Sequence, residues 1–439
     1  MPLQKGAYSS DTMIHDYQDA VDYLYQNLPI FQRVGAAAIK KGLSNTIDLC
    51  EALGNPQERF KSIHVAGTNG KGSTSHMLAA VFQTSGYRTG LYTSPHLKQF
   101  TERIRVNGKE VDKQFVVDFV NKVKPLIERI QPSFFEITVA MAFDYFALKN
   151  VEVAIIEVGL GGRLDSTNII HPVLSLITNI GMDHTDILGD ALDKIASEKA
   201  GIIKPNTPVV VSERQDSIDV IFTEKARESL SPIYFATDLF SEQVSDGKFT
   251  ISKNQDLFLA DIALDLHGDY QQKNILGVMQ AIDVLRGMNF NLDDESIHDA
   301  LRNVTSITGL KGRWQKLGDR PLMICDTGHN AEGIKYLVAQ ISKQRYRNLH
   351  MIIGMVKDKD ISKVLELLPK EAHYYFCQSR IPRALAAHEL QTKANSFGLR
   401  GEVIPDVNEA INKAKVNSSV DDMIFIGGST FVVAEIAEL

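Results

Sequence analysis

Cysteine is scarce in this sequence: three residues in 439, Cys50, Cys325 and Cys377, far apart and without a CxxC pair. They cannot all pair internally, so they are read as reduced and buried. Long apolar runs are missing as well. No run of the roughly 18 uncharged apolar residues that a membrane helix needs is present. The opening MPLQKGAYSSDTMIHDY lacks both an apolar signal core and a small-residue cleavage pattern. A soluble, cytoplasmic protein without a membrane partner is the expectation. Positive charge is also short, with a formal net charge of -7. Nucleic acid is therefore not expected as a partner, because binding it needs a field of Lys and Arg. Any anionic ligand must be held by local groups. What is present is an ordinary globular balance, 44% hydrophobic and 23% charged, in a chain long enough for two or three domains.

After a helix-like opening over 17–28, the stretch from Ser62 to Ile203 repeatedly sets a short apolar run before a Gly-rich or polar loop and then a helical segment. That alternation predicts a parallel sheet wrapped by helices. The runs 63–66, 88–92, 153–158, 174–178 and 208–211 read as central strands, most of them too apolar for half-exposed ones. A more polar, hairpin-like region over 233–266 precedes a helix over 271–288. The polar stretch 303–316 reads as a linker, after which strands at 322–325, 349–353, 374–377 and 423–426 begin a second, smaller α/β unit.

The segment Ile63 to Thr74, IHVAGTNGKGST, carries the most chemistry. A buried strand runs into a Gly-rich turn and then a helix over 73–84, so Asn69, Gly70, Lys71, Gly72 and Ser73 form a cradle. Backbone N–H groups and the positive end of a helix would hold phosphate oxygens there, and the Lys71 amine would bridge the terminal phosphates. The loop departs from GxxxxGK[ST], because Val65 stands where the first Gly would fall and Gly72 separates Lys71 from Ser73. A dinucleotide reading of Gly159 to Leu164 is weaker, since Leu164 occupies the third Gly position of GxGxxG.

In open α/β sheets, ligands collect at the carboxyl ends of strands. Three strands supply polar groups there: one ends at Glu157, one leads to Asp183 and His184, and one leads to Thr93 and Ser94. ATP brings Mg²⁺, a hard cation that takes oxygen ligands, and Glu157 suits that role. His184 alone reads equally well as a capping histidine.

These motifs together resemble the folylpolyglutamate synthases and bifunctional dihydrofolate synthases, relatives of the Mur-type ligases. The resemblance rests on GTNGKGS at 67–73, SPHL at 94–97 with ERI at 102–104, EVGLGGRLDSTN at 157–168 and SEKAGIIK at 197–204, and it spans nearly the whole chain. It implies an N-terminal P-loop-type ATP-binding domain with a mainly parallel sheet over 1–308 and a smaller Rossmann-like α/β domain over 309–439. It also implies that Ser94, Glu157 and His184 hold magnesium, that Lys71 and Ser73 hold phosphates, and that Asn274 lies at the adenine end. Lys199 matches the lysine that such ligases carry in carbamylated form, a further metal ligand. Arg313 and Asp326 would reach ATP across an interdomain cleft, and His329 would place the incoming amino acid or the terminal phosphate. Two departures stand out. Tyr270 replaces the His of GxHQxxN, and Asp326-Thr327-Gly328-His329-Asn330 replaces Asp-Gly-Ala-His-Asn.

The implied reaction is ATP-dependent addition of L-glutamate to a pterin or folate acceptor through an acyl phosphate, by an enzyme expected to be monomeric. Two rivals are a Mur-type ligase of a nucleotide-linked muramoyl peptide and a plain ATPase or regulatory nucleotide-binding module.

Overall fold

The computed structural model describes residues 13–38, 40, 42–357 and 361–439, so most of the opening segment read for a signal sequence lies outside the described residues. Eight strands form the first sheet: β1 (Lys61–Ala66), β2 (Thr89–Tyr92), β3 (Ile104–Val106), β4 (Lys109–Glu110), β5 (Val153–Glu157), β6 (Leu174–Ile177), β7 (Val209–Val211) and β8 (Ile233–Phe235). Their order is β4-β3-β2-β5-β1-β6-β7-β8. The neighbours from β2 through β8 run parallel, and β3 and β4 form an antiparallel edge. The parallel strands are buried on both faces, which is why they read as continuous apolar runs. Side chains nevertheless alternate between two cores. Ile63, Val65, Val153 and Ile155 face one that holds the helices Lys71–Thr84 and Gln271–Gly287, while Ala154 and Ile156 face another under the helices Lys113–Ile130 and Phe134–Leu148.

The hairpin-like region divides. Its first residues become β8, the parallel edge of the large sheet, and the rest forms a three-stranded antiparallel sheet of β9 (Phe240–Ser245), β10 (Lys248–Lys253) and β11 (Asp256–Ala263). The stretch read as a linker is shorter than expected. A helix, Val304–Thr308, fills its first half, where its Val304 is packed into the first core. A six-stranded sheet follows, made of β12 (Gln315–Asp319), β13 (Leu322–Cys325), β14 (Leu349–Ile353), β15 (His373–Phe376), β16 (Gly401–Val403) and β17 (Met423–Gly427), in the order β12-β13-β17-β14-β15-β16. All its neighbours are parallel except β12 with β13. The fold is thus the expected α/β pair of units. All three cysteines are free and buried, and burial pushes the Cys50 and Cys325 thiols up to about 12.

Candidate active site

Register places the chemistry. Val65 pairs with Glu157 and Ala66 with Ile177, so β1, β5 and β6 end level with one another beside the Gly-rich turn. The turn is only four residues long, because the following helix starts at Lys71, two residues earlier than expected, with Gly70 as its N-cap at φ 86°. Two glycines here are required by space. A Cβ on Gly67 (φ 147°) would lie 1.8 Å from Thr178 Oγ1, and one on Gly70 would lie 2.2 Å from Asn274 Oδ1. The residues just past β6 hold the loop. Thr178 Oγ1 donates to the Asn69 carbonyl at 2.5 Å, Asn179 Oδ1 accepts the Asn69 N–H at 2.9 Å, and Thr68 and Gly181 bond through the Thr68 hydroxyl.

The charged groups around this loop have few partners. Lys71 lies in the first helical turn, partly buried, and its amine donates to the carbonyls of Gly67 and Thr68 at 3.0 and 3.1 Å. Desolvation lowers its pKa from the ordinary lysine value, against the pull of Glu157 and Asp183. Lys199 is 4% exposed and donates to the Gly67 carbonyl at 2.7 Å. Its amine is driven well below the usual range by burial and then by Lys71. Glu157 is 5% exposed and accepts one backbone N–H, from Ser94 at 3.2 Å. Burial raises its pKa, with Lys71 the largest opposing influence. A buried carboxylate so thinly supplied with donors fits a hard cation. Among the described residues no three His, Cys, Asp or Glu side chains form a ready-made metal cage.

The helix Gln271–Gly287 delivers a second set of groups. Gln271 Nε2 donates to Ser73 Oγ at 3.1 Å, and Asn274 Nδ2 donates to Gln271 Oε1 at 2.7 Å, so Asn274 is packed against Gly70. The six-stranded sheet closes the cleft from the other side. Arg313 bonds Thr327 Oγ1, and its Nη2 is the nearest group to Gly72. Trp314, next to it, has φ 44°, a conformation that costs a non-glycine residue roughly 1–2 kcal/mol. Its N–H donates to Asp326 Oδ2 at 2.6 Å. Asp326, 2% exposed just after β13, also accepts from the Gly328 N–H and from the Tyr270 hydroxyl, each at 2.7 Å. Burial raises its pKa.

His329 Nδ1 faces the Thr327 carbonyl at 3.0 Å and Nε2 faces Asp183 Oδ2 at 3.2 Å. Asn330 and Asn69 exchange amide bonds across the cleft, and Glu332 accepts from Asn69 and Asn179 at 3.1 and 3.4 Å. His184 (φ 51°) caps a short helix, with its ring 5.9 Å from that of Phe31 in an edge contact. Phe31 in turn lies under the Arg383 guanidinium, centroid distance 4.5 Å.

One cleft brings together every expected site residue: Asn69 to Ser73, Ser94, Glu157, His184, Lys199, Asn274, Arg313, Asp326 and His329. Asp183, read with His184 at its strand end, lines it as well, and so do Asn179, Glu213, Lys273, Thr327, Tyr336 and Thr430, which were not assigned from the sequence. The strand-end rule would have found Asn179, two residues past β6. Nothing local marks Tyr336 or Thr430. The stretch Gly159 to Leu164 is followed by a short 3-10 helix, Ser166–Ile169, rather than the long helix of a dinucleotide fold. Arg103 and Arg105 are turned inward. Arg103, 4% exposed, donates to His96 Nδ1 at 2.8 Å and lies over the Phe134 ring. Arg105 pairs with Glu110 at 3.1 Å.

The chain matches the family models for the Mur ligase middle domain over residues 65–282 and the Mur ligase, glutamate ligase domain, over residues 312–430. It is 33% identical over 439 residues to dihydrofolate synthase/folylpolyglutamate synthase of Bacillus subtilis, covering 97% of this chain and 99% of that protein. It is similar in structure to Escherichia coli FolC in complex with DHPP and ADP, with a TM-score of 0.83, 27% identity and 97% of each chain covered. A solved bifunctional folylpolyglutamate synthase/dihydrofolate synthase with Mn, AMPPNP and L-glutamate bound matches with the same TM-score and identity over 98% of both chains. These likenesses run the length of both units and meet at the cleft just described. The chain belongs to the dihydrofolate synthase/folylpolyglutamate synthase family of Mur-type, ATP-dependent ligases.

Proposed function

We propose that this enzyme uses ATP to join L-glutamate to dihydropteroate, to reduced folates, or to both, with the bifunctional form as our reading. The observation that carries it is the single cleft in which a phosphate loop, a buried carboxylate and an Arg-Asp-His set from a second sheet converge. An acceptor carboxylate oxygen attacks the γ-phosphorus, the bond to the β,γ-bridging oxygen breaks, and ADP leaves. The neutral amine of glutamate then attacks the acyl carbon. A C–N bond forms, the acyl C–O bond breaks, phosphate departs and a proton passes to solvent. Such transfers need alignment and charge neutralisation more than a protein nucleophile.

In this reading the turn from Asn69 to Ser73 cradles the phosphates, Lys71 leaves its two loop carbonyls for phosphate oxygens, and Asn274 lies toward the adenine. Arg313 and Asp326 act from the second unit, and His329 places the amino acid or the terminal phosphate. Bound Mg²⁺ would neutralise phosphate charge, held by Ser94, Glu157 and His184. Lys199 completes that set as a carbamate: its nitrogen adds to CO₂ and loses a proton, turning a buried amine into an oxygen ligand. Its burial and lowered pKa support this, because the neutral amine is the form that reacts with CO₂. The two units, 1–308 and 309–439, close over ATP and shield the acyl phosphate from water. The enzyme works in the cytoplasm as a monomer. Among the described residues no helix is long and apolar enough to cross a membrane.

The test offers purified enzyme ATP, Mg²⁺ and glutamate with dihydropteroate or tetrahydrofolate separately, and identifies products by mass. One added glutamyl residue on each is expected. Addition to tetrahydrofolate alone would exclude the dihydrofolate synthase half, and no product from either would end the reading. For Lys199, an inactive Lys199→Ala partly rescued by short carboxylic acids is expected, and a fully active variant would remove the carbamate.

A further inference from the structure

Tyr270 stands one residue before the helix Gln271–Gly287 of the first unit, yet its ring packs against the core of the second. Its hydroxyl donates to Asp326 Oδ2 at 2.7 Å. Asp326 holds three donors, and two of them, the Trp314 and Gly328 N–H groups, come from its own unit. Tyr270 supplies the one that crosses the cleft. The Trp314 N–H shares the same carboxylate oxygen, and Trp314 keeps a left-handed backbone immediately after Arg313. Arg313 is the cation that the second unit presents to Gly72 of the phosphate loop.

We propose that Tyr270 is a positioning residue: its hydroxyl orients the Asp326 carboxylate, and through it the Trp314 backbone and the Arg313 cation beside the phosphate loop. The proposal rests on the ligase reading above. Without the hydroxyl, the Asp326 oxygen can turn away from the Trp314 N–H, and the left-handed turn that aims Arg313 loses an anchor. A cation that acts on charge developing during phosphoryl transfer affects kcat more than ground-state binding of ATP.

Tyr270→Phe removes only the hydroxyl. Gly268→Ala reaches the same bond by another route, because a Cβ there would sit 2.5 Å from Tyr270 Cζ and 2.9 Å from its hydroxyl oxygen, pushing the ring off Asp326. Trp314 is the only tryptophan in the chain, so its fluorescence reports on this bond without any assay of turnover. We expect Tyr270→Phe to lower kcat about tenfold, to keep the KM for ATP within about twofold, and to shift Trp314 emission to longer wavelength. Gly268→Ala should reproduce all three. Should one variant fail to fold, the other decides. Wild-type kcat and wild-type emission in a folded variant would overturn the proposal. A wild-type enzyme that forms no glutamylated product would instead sink the ligase reading, while the emission comparison would still judge the Tyr270 link.

Discussion

The phosphate-loop end of the cleft and a cluster outside its lining, the wall formed by Tyr25, His96 and Arg103, both hold buried polar groups, but they are satisfied differently. On the wall the protein supplies the partners. His96 meets the Tyr25 hydroxyl at 3.2 Å and Arg103 at 2.8 Å, and Arg103 also covers the Phe134 ring. At the loop, Glu157 has one N–H donor and Lys199 one carbonyl, and burial pushes both groups toward their neutral forms. A group held charged in a poor solvent is costly unless a ligand arrives. The wall is built for stability and the loop is built for what binds there. Neutralising a loop group should therefore cost activity and spare the fold, and neutralising a wall group should do the reverse.

The largest effect is expected at Lys71. Lys71→Ala should lower kcat roughly a thousandfold, the upper range for removing one donor to a developing charge. Melting within about 4 °C of wild type should accompany it. A collapse of stability alongside activity would break the comparison. Glu157→Gln comes next, with a loss of about a hundredfold that rising Mg²⁺ only partly restores, since the amide keeps the shape but not the charge. Its melting temperature should not fall, because the variant relieves a buried charge, and an unchanged magnesium requirement would remove Glu157 from the metal shell.

On the wall, Arg103→Gln should cost about 1–3 kcal/mol of stability, as removing one side of a buried pair does, while the KM for ATP stays unchanged. Urea denaturation would measure it. The smallest effect concerns His76, buried on the phosphate-loop helix with Nδ1 2.7 Å from Thr308 Oγ1. Burial, then Arg105, lowers its pKa to about 3 from the ordinary 6.5. In that window the unfolded chain binds the extra proton, so this histidine favours folding above about pH 6.5 and costs stability as pH falls toward 3. Between about pH 7 and 5, His76→Gln should lose up to about 2 kcal/mol less stability than wild type. Equal losses would show that the residue titrates normally.

The parts legible in the sequence were those governed by local rules. Buried parallel strands read as apolar runs, the turn before Lys71 showed its glycines, and Glu157 stood at a strand end. The edge strands β3 and β4 were missed because three and two residues are too few to show a period. The helix Val304–Thr308 was hidden because five residues of mixed polarity read as linker, although Val304 is fully buried. The cross-cleft contacts left no local signal at all. Tyr270 and Asp326 are 56 residues apart, Asn69 and Glu332 are 263, and Phe31 and Arg383 are 352. The pairing depends on how two sheets face each other, which no window of sequence records.

The most direct test of the central claim follows phosphate release from ATP with the folate acceptor and glutamate each present or omitted. If the under-satisfied charges at the loop serve an acyl phosphate formed in a closed cleft, sustained release requires both acceptor and glutamate. Release that is equally fast without either would contradict the account, because the loop would then be hydrolysing ATP with no acyl group to carry the phosphate.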